Sequence, residues 1–198
     1  MGESATLRTA PSAPRKRDAE ATRLAILGAA KIHFARLGYE CAALRDIATE
    51  AGADVSLIKR YFGGKEALFA AALNDSFSGN AARDWNRETF SRDIATMMAD
   101  DTHVDEDRTL RFKFLLRAAT SPTTAPLLNL AMQERFLAPI RDWLGGECAP
   151  VRARVLAAVY IGFLVERLIR DRPLIGEERE VFIASAAAAL DAVLQPAP

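Results

Sequence analysis

Two histidines, two cysteines and an uneven spread of charge bound the chemistry open to these 198 residues. Acid–base or triad catalysis needs titratable partners within hydrogen-bond reach, and His33 and His103 are the only imidazoles. His33 falls at the helical spacing of Ile26, Ala30 and Phe34, which predicts a packed core or edge histidine. His103 lies in an acidic stretch beside Asp101 and Asp105. A metal could bind there, but clustered loop charges are ordinarily solvated. Cys41 and Cys148 stand far apart in no metal-ligand spacing and read as reduced thiols. The chain therefore offers no catalytic set, no metal site and no cofactor motif, which argues against an enzyme.

Charge points elsewhere. Basic and acidic residues balance at 26 each, yet from Arg15 to Lys65 there are ten basic to six acidic, and from Ala81 onward 15 to 17. A modestly positive head on a slightly negative body suits reversible contact with phosphate.

The elements that would carry such contact lie in residues 42–69, AALRDIATEAGADVSLIKRYFGGKEALF. They read as two short helices across a glycine turn, with a third helix entered through Gly63-Gly64. Ile47 and Ala48 on the first helix are expected to face Ile58 on the second, with Ala48 small where the helices cross. Gly52 supplies the left-handed turn, and Asp54 caps a second helix from Val55 to Phe62 through the N–H of Ser56 or Leu57. This is a helix-turn-helix, whose second helix enters a DNA major groove.

The pattern resembles the tetracycline-repressor (TetR) family of transcriptional regulators. Ile26-Leu27, Ala30, Phe34, Gly38 and Tyr39 match the core and closing glycine of that family's first helix, and Tyr61 to Phe69 matches its usual ending, so the resemblance covers residues 22–73 or so. Position by position it implies that Val55, Ser56 and Leu57 lead the recognition helix toward base edges, with Arg60 near the groove and Arg45 a further base or phosphate contact. Lys59, Tyr61 and Lys65 match positions that commonly hold phosphates, which set register without reading sequence. Two departures stand out. Ala42-Ala43 replaces the usual Thr or Ser cap, at a helix cost of about 1 kcal/mol, and Lys59 replaces an aromatic, shifting phosphate affinity toward salt-sensitive Coulomb attraction.

Around this head the sequence predicts only helices. Residues 1–18, with Arg15-Lys16-Arg17 and no apolar period, read as a disordered basic arm or an inert solvated tail. A helix from about Ala19 to Leu37 completes a three-helix head, and Lys65 to about Phe77 forms a connector. Further helices are expected over Arg83–Ala99, Arg108–Thr120, Thr124–Leu144 with a kink at Pro139, Pro150–Arg170 and Gly176–Leu194, with an acidic loop at 100–107. The expected division is arm 1–18, DNA-binding head with connector 19–77, and ligand-binding and dimerisation body 78–198.

Val155 to Val165 is apolar all round and is expected to be buried on every side. Ala158 and Gly162, with Ala184, Ala187 and Ala188 on the last helix, form small-residue stripes, and the resemblance implies a homodimer built on this pair. A monomeric core is the other reading. The resemblance also implies a ligand cavity, for which Phe112, Arg117, Gln133, Phe136, Tyr160, Phe163 and Glu166 are candidates.

No apolar run reaches the roughly 20 residues that span a bilayer, and the expectation is a cytoplasmic protein. The whole reads as an all-α homodimeric regulator, a repressor released from a palindromic operator by a small, largely apolar molecule. The rivals are a DNA-binding structural protein without inducer, and a helical binding protein or enzyme with a vestigial head.

Overall fold

Glycines and one aspartate punctuate the first four helices of the computed structural model, which describes residues 14–77, 85–100 and 106–195. Helix α1 runs Pro14–Cys41 but leaves helical geometry at Gly38, whose φ of 78° only glycine adopts freely. It starts five residues before the expected Ala19, and residues 1–13 of the expected arm lie outside the described residues. Helices α2 (Leu44–Glu50) and α3 (Val55–Phe62) follow, separated by Gly52 at φ 62°. As expected, Ala43 precedes α2 and gives it no side-chain cap, whereas Asp54 caps α3 by accepting the Ser56 N–H at 2.8 Å. Helix α4 (Lys65–Ser76) leaves the head through Gly63 and Gly64, both at positive φ.

Burial explains why these four helices stay together. Ile26, Phe34, Ile47, Ala48, Ile58, Leu68 and Phe69 are buried in one cluster, so the predicted facing of Ile47 and Ala48 with Ile58 is present. Ion pairs and ring contacts brace the rim: Lys31 to Asp75 at 2.8 Å joins α1 to α4, and Arg23 lies over the Phe62 ring.

The body continues with α5 (Phe90–Ala99), α6 (Glu106–Thr120), α7 (Ala125–Met132), α8 (Ala138–Leu144), α9 (Ala149–Ile169) and α10 (Gly176–Leu194). No strand occurs among the described residues. Helix α5 opens only at Phe90, later than the Arg83 expected. Asp101, His103 and Asp105 fall outside the described residues. A kink is expected at Pro139, and the regular helix is interrupted just before it. There Gln133–Leu137 widens into a π segment in which the Ala138 N–H reaches back to the Gln133 carbonyl, a register that absorbs the hydrogen bond proline cannot make.

Body helix ends are closed from a distance. Arg87 donates to the Trp143 and Leu144 carbonyls at the end of α8, Arg152 to Val193 and Leu194 at the end of α10, and Arg167 and Arg170 to Asp100 and Met98 at the end of α5. A guanidinium there satisfies orphan carbonyls and meets the negative pole of the helix. Helix α10 packs on α5 and α9, while α6 packs on α1. Head and body share an aromatic seam: Phe34 of α1, Phe69 of α4 and Phe114 of α6 lie with ring centroids 4.9 to 6.0 Å apart.

Candidate nucleic-acid interface and internal cavity

The outer face of α3 is mostly polar because most of its apolar residues are used inward. Ile58 is buried, and Leu57, Tyr61 and Phe62 pack half-buried against the head core. Val55, Ser56, Lys59 and Arg60 are left exposed on one face. Leu57 and Tyr61 thus serve the core more than the outer surface, which their helical spacing beside Ile58 could have signalled. Arg45 is exposed on α2, and neither it nor Lys59 nor Arg60 forms an ion pair among the described residues. Cations without an internal acid are available to phosphate.

Lys65 is placed differently. Its Nζ donates to the Glu40 carbonyl at 3.1 Å and sits 4.8 Å from the Tyr39 ring centre, so it ties the start of α4 to the end of α1. Burial, with the Glu66 and Glu40 carboxylates nearby, pushes the Tyr39 phenol above its ordinary range. Hydrogen bonds from Ser56 hold the Asp54 carboxyl below the usual carboxylate range. His33, an edge histidine as expected, bonds through Nε2 to Glu50 at 2.8 Å and so joins α1 to α2.

In the body a cavity of about 410 Å³ is lined by residues of α4 to α9. Its wall includes Ser76 and Phe77 at the end of α4, Phe90 and Ile94 on α5, Arg111 and Phe112 on α6, Phe136 in the π segment, and Tyr160 on α9. Of the seven ligand candidates read from sequence, Phe112, Phe136 and Tyr160 come together here. The other four do not. Arg117 lines a separate groove between α1 and α6 with Arg36 and Lys113, and Gln133 begins the π segment outside the wall. Phe163 packs on Phe182, with centroids 6.1 Å apart. Glu166 pairs with Arg170 at 2.6 Å. Sequence reading missed Ser76, Phe77 and Arg111, since which side of α4 or α6 faces a void is decided by how the helices are stacked.

The expectation that Val155 to Val165 is buried on every side fails in the single chain. Val151, Val155, Ala158, Gly162 and Ile169 lie exposed along one face of α9, the valines at 65% and 45% and Ile169 at 76%. Beside them Val181, Ala184 and Ala188 are exposed on α10, while Ala187 packs against the small α5–α10 cluster. A Cβ built at Gly162 would meet no atom within 4 Å, so nothing in its own chain requires the glycine.

The family model for bacterial regulatory proteins of the tetR family matches residues 26–72, and that for the tetracyclin repressor-like C-terminal domain matches residues 88–194. No curated protein matches the chain. Among solved structures, multidrug binding protein EbrR complexed with imidazole is 23% identical with a TM-score of 0.63, over 98% of this chain and 99% of that one. The same protein complexed with ethidium is 21% identical with a TM-score of 0.63, over 89% and 99%. A TetR-family transcriptional regulator from Streptomyces coelicolor is 20% identical with a TM-score of 0.58, over 88% and 95%. At these identities the likeness is one of fold.

Proposed function

We propose, on the premise that this chain belongs to the TetR family of DNA-binding transcriptional regulators, that it is a homodimeric repressor released from a palindromic operator by a small molecule held in the body cavity. The head, residues 19–77, docks α3 in the major groove. Ser56 and Arg60 address base edges, Val55 offers apolar contact to thymine methyls, and Arg45 and Lys59 hold phosphates. Lys65 orients the entry of α4, and Leu57 and Tyr61 seat α3 on its core. The body, residues 78–198, binds the effector and dimerises through the exposed apolar faces of α9 and α10.

One observation carries this reading: α4 has one end at each site. It begins at Lys65, three residues after α3 ends, and finishes with Ser76 and Phe77 in the cavity wall. At 1.5 Å per residue its 12 residues form a strut of about 18 Å. A ligand that moves the Phe77 end tilts the strut, and in a dimer this changes the separation of two recognition helices that must match groove faces roughly 34 Å apart. The cavity disfavours a purely architectural DNA-binding protein, for which such a void is only lost packing. EbrR, crystallised with ethidium, supports the idea that this fold accommodates flat aromatic guests.

The test is selection of bound duplexes from a random pool, followed by titration of the selected duplex in the presence of compounds that raise the melting temperature. The expected result is a twofold-symmetric site and a 5- to 150-fold weakening by effector, the range of roughly 1 to 3 kcal/mol of coupling. Tight ligands that leave duplex affinity unchanged would refute the inducer model.

A further inference from the structure

Helix α6 borders a second hollow, chemically unlike the cavity. It is an open groove of about 730 Å³ between α1 and α6. Arg36 of α1 and Lys113 and Arg117 of α6 bring three cations to its wall over apolar Ala35, Leu110 and Leu116, and no carboxylate is among its described lining residues. All three cations are exposed, and none forms an ion pair among the described residues. Lys113 and Arg117 stand one turn apart on α6, a spacing at which like charges repel. The negative pole of α6 offsets that repulsion for Arg117, in the last turn, but not for Lys113. An added Cβ at Gly38 would lie 3.7 Å from Nη1 of Arg117, so the cluster reaches the point where α1 leaves helical geometry.

An external anion accounts for this grouping. One carboxylate would neutralise a third of the charge, whereas a compound with several phosphate oxygens matches two guanidinium forks and an ammonium together. The groove is concave with a leucine floor, which suits a small molecule better than the convex backbone of a duplex. We propose that it is a second ligand site, taking a small polyanion with two or more phosphate groups between Arg36 of the head and Lys113 and Arg117 of the body. Leu116 lines both the groove and the cavity, so an anion bound here ties α1 of the head to a helix of the cavity wall.

Inorganic tripolyphosphate is the probe, titrated by calorimetry into the full-length protein at about 150 mM salt, with sulfate at equal ionic strength as the control for screening. Saturable binding of one tripolyphosphate per chain is expected, with a rise in melting temperature that sulfate does not reproduce. Arg36→Met, Lys113→Met and Arg117→Met should each weaken it about 2- to 5-fold, as exposed charge pairs do, and together by at least about 10-fold. Lys113→Arg and Arg117→Lys should keep most of the affinity, since charge carries it. All three side chains are exposed, so the variants should fold, which circular dichroism checks. The recognition face also attracts polyphosphate, and a variant combining Arg45→Ala with Lys59→Ala separates the two sites: it should leave the saturable binding intact. Absence of saturable binding, binding that survives the triple replacement, or binding lost instead with Arg45 and Lys59 would overturn the proposal. So would a triple variant whose slope of log duplex affinity against log salt falls by about 1 or more, because the cations would then belong to the DNA backbone.

Discussion

The head and the body differ in how most of their helix ends are held. In the head most boundaries are closed by a residue at the boundary: Gly38, Gly52 and Gly63 at positive φ, and Asp54 over the first turn of α3, while the start of α2 at Ala43 has no side-chain cap. In the body the ends of α8, α10 and α5 are closed by Arg87, Arg152 and Arg170, donors 57, 41 and 72 residues away in sequence. Local closure lets α2, turn and α3 behave as a rigid reading unit. Distant closure makes each body helix depend on several others, which suits a cavity whose walls must shift together when filled.

The strongest challenge to this contrast is at the seam, where the two regions share one core. Phe114→Ala should cost about 3 to 5 kcal/mol, read by urea or thermal unfolding, because a buried ring leaves a void between α1, α4 and α6. A loss below about 1 kcal/mol would mean that head and body are stabilised separately. Gly162→Leu probes the body's outer face without disturbing its interior, since a side chain there has open space within its own chain. The variant should fold, sediment as a monomer and lose at least about 100-fold in operator affinity as binding falls toward the non-specific level. A dimeric Gly162→Leu that binds normally would move the interface off α9.

Distant closure is tested by Arg152→Met, which leaves the last carbonyls of α10 without their donor and should cost about 1 to 3 kcal/mol. The head makes its own test through Lys59→Ala. It should weaken all duplexes alike and lower the slope of log affinity against log salt by about 1, with melting unchanged. Arg60→Ala should instead alter sequence preference. Smallest is the cap of α3. Because Asp54 is held below the usual carboxylate range, its contribution is complete above that range and disappears as pH falls through its lowered value. Thermal melts of Asp54→Asn, which keeps a neutral cap, should lack this acid-side loss.

How far each region could be read without coordinates follows from the same contrast. Helix α3 begins and ends where Asp54 and the Gly63-Gly64 pair predict, since capping and positive φ are decided within a few residues. The start of α5, the π segment before Pro139 and the arginine caps were not legible, because each depends on what lies across the fold. Phe112, Phe136 and Tyr160 were recognisable as aromatic candidates, yet nothing in their spacing separated them from Phe163, which faces Phe182 instead.

By itself the sequence determined an all-helical chain, a helix-turn-helix with its capped recognition helix, and a surplus of cations around it, all of which rest on short-range backbone preferences and on apolar residues at helical period. Only the tertiary structure decided that Leu57 and Tyr61 turn inward, that Val155 and Gly162 stand exposed, and that α4 runs from Lys65 to a cavity wall bearing Arg111. Those outcomes depend on the rotation of each helix about its axis against its neighbours, a quantity set by the packing of the whole core.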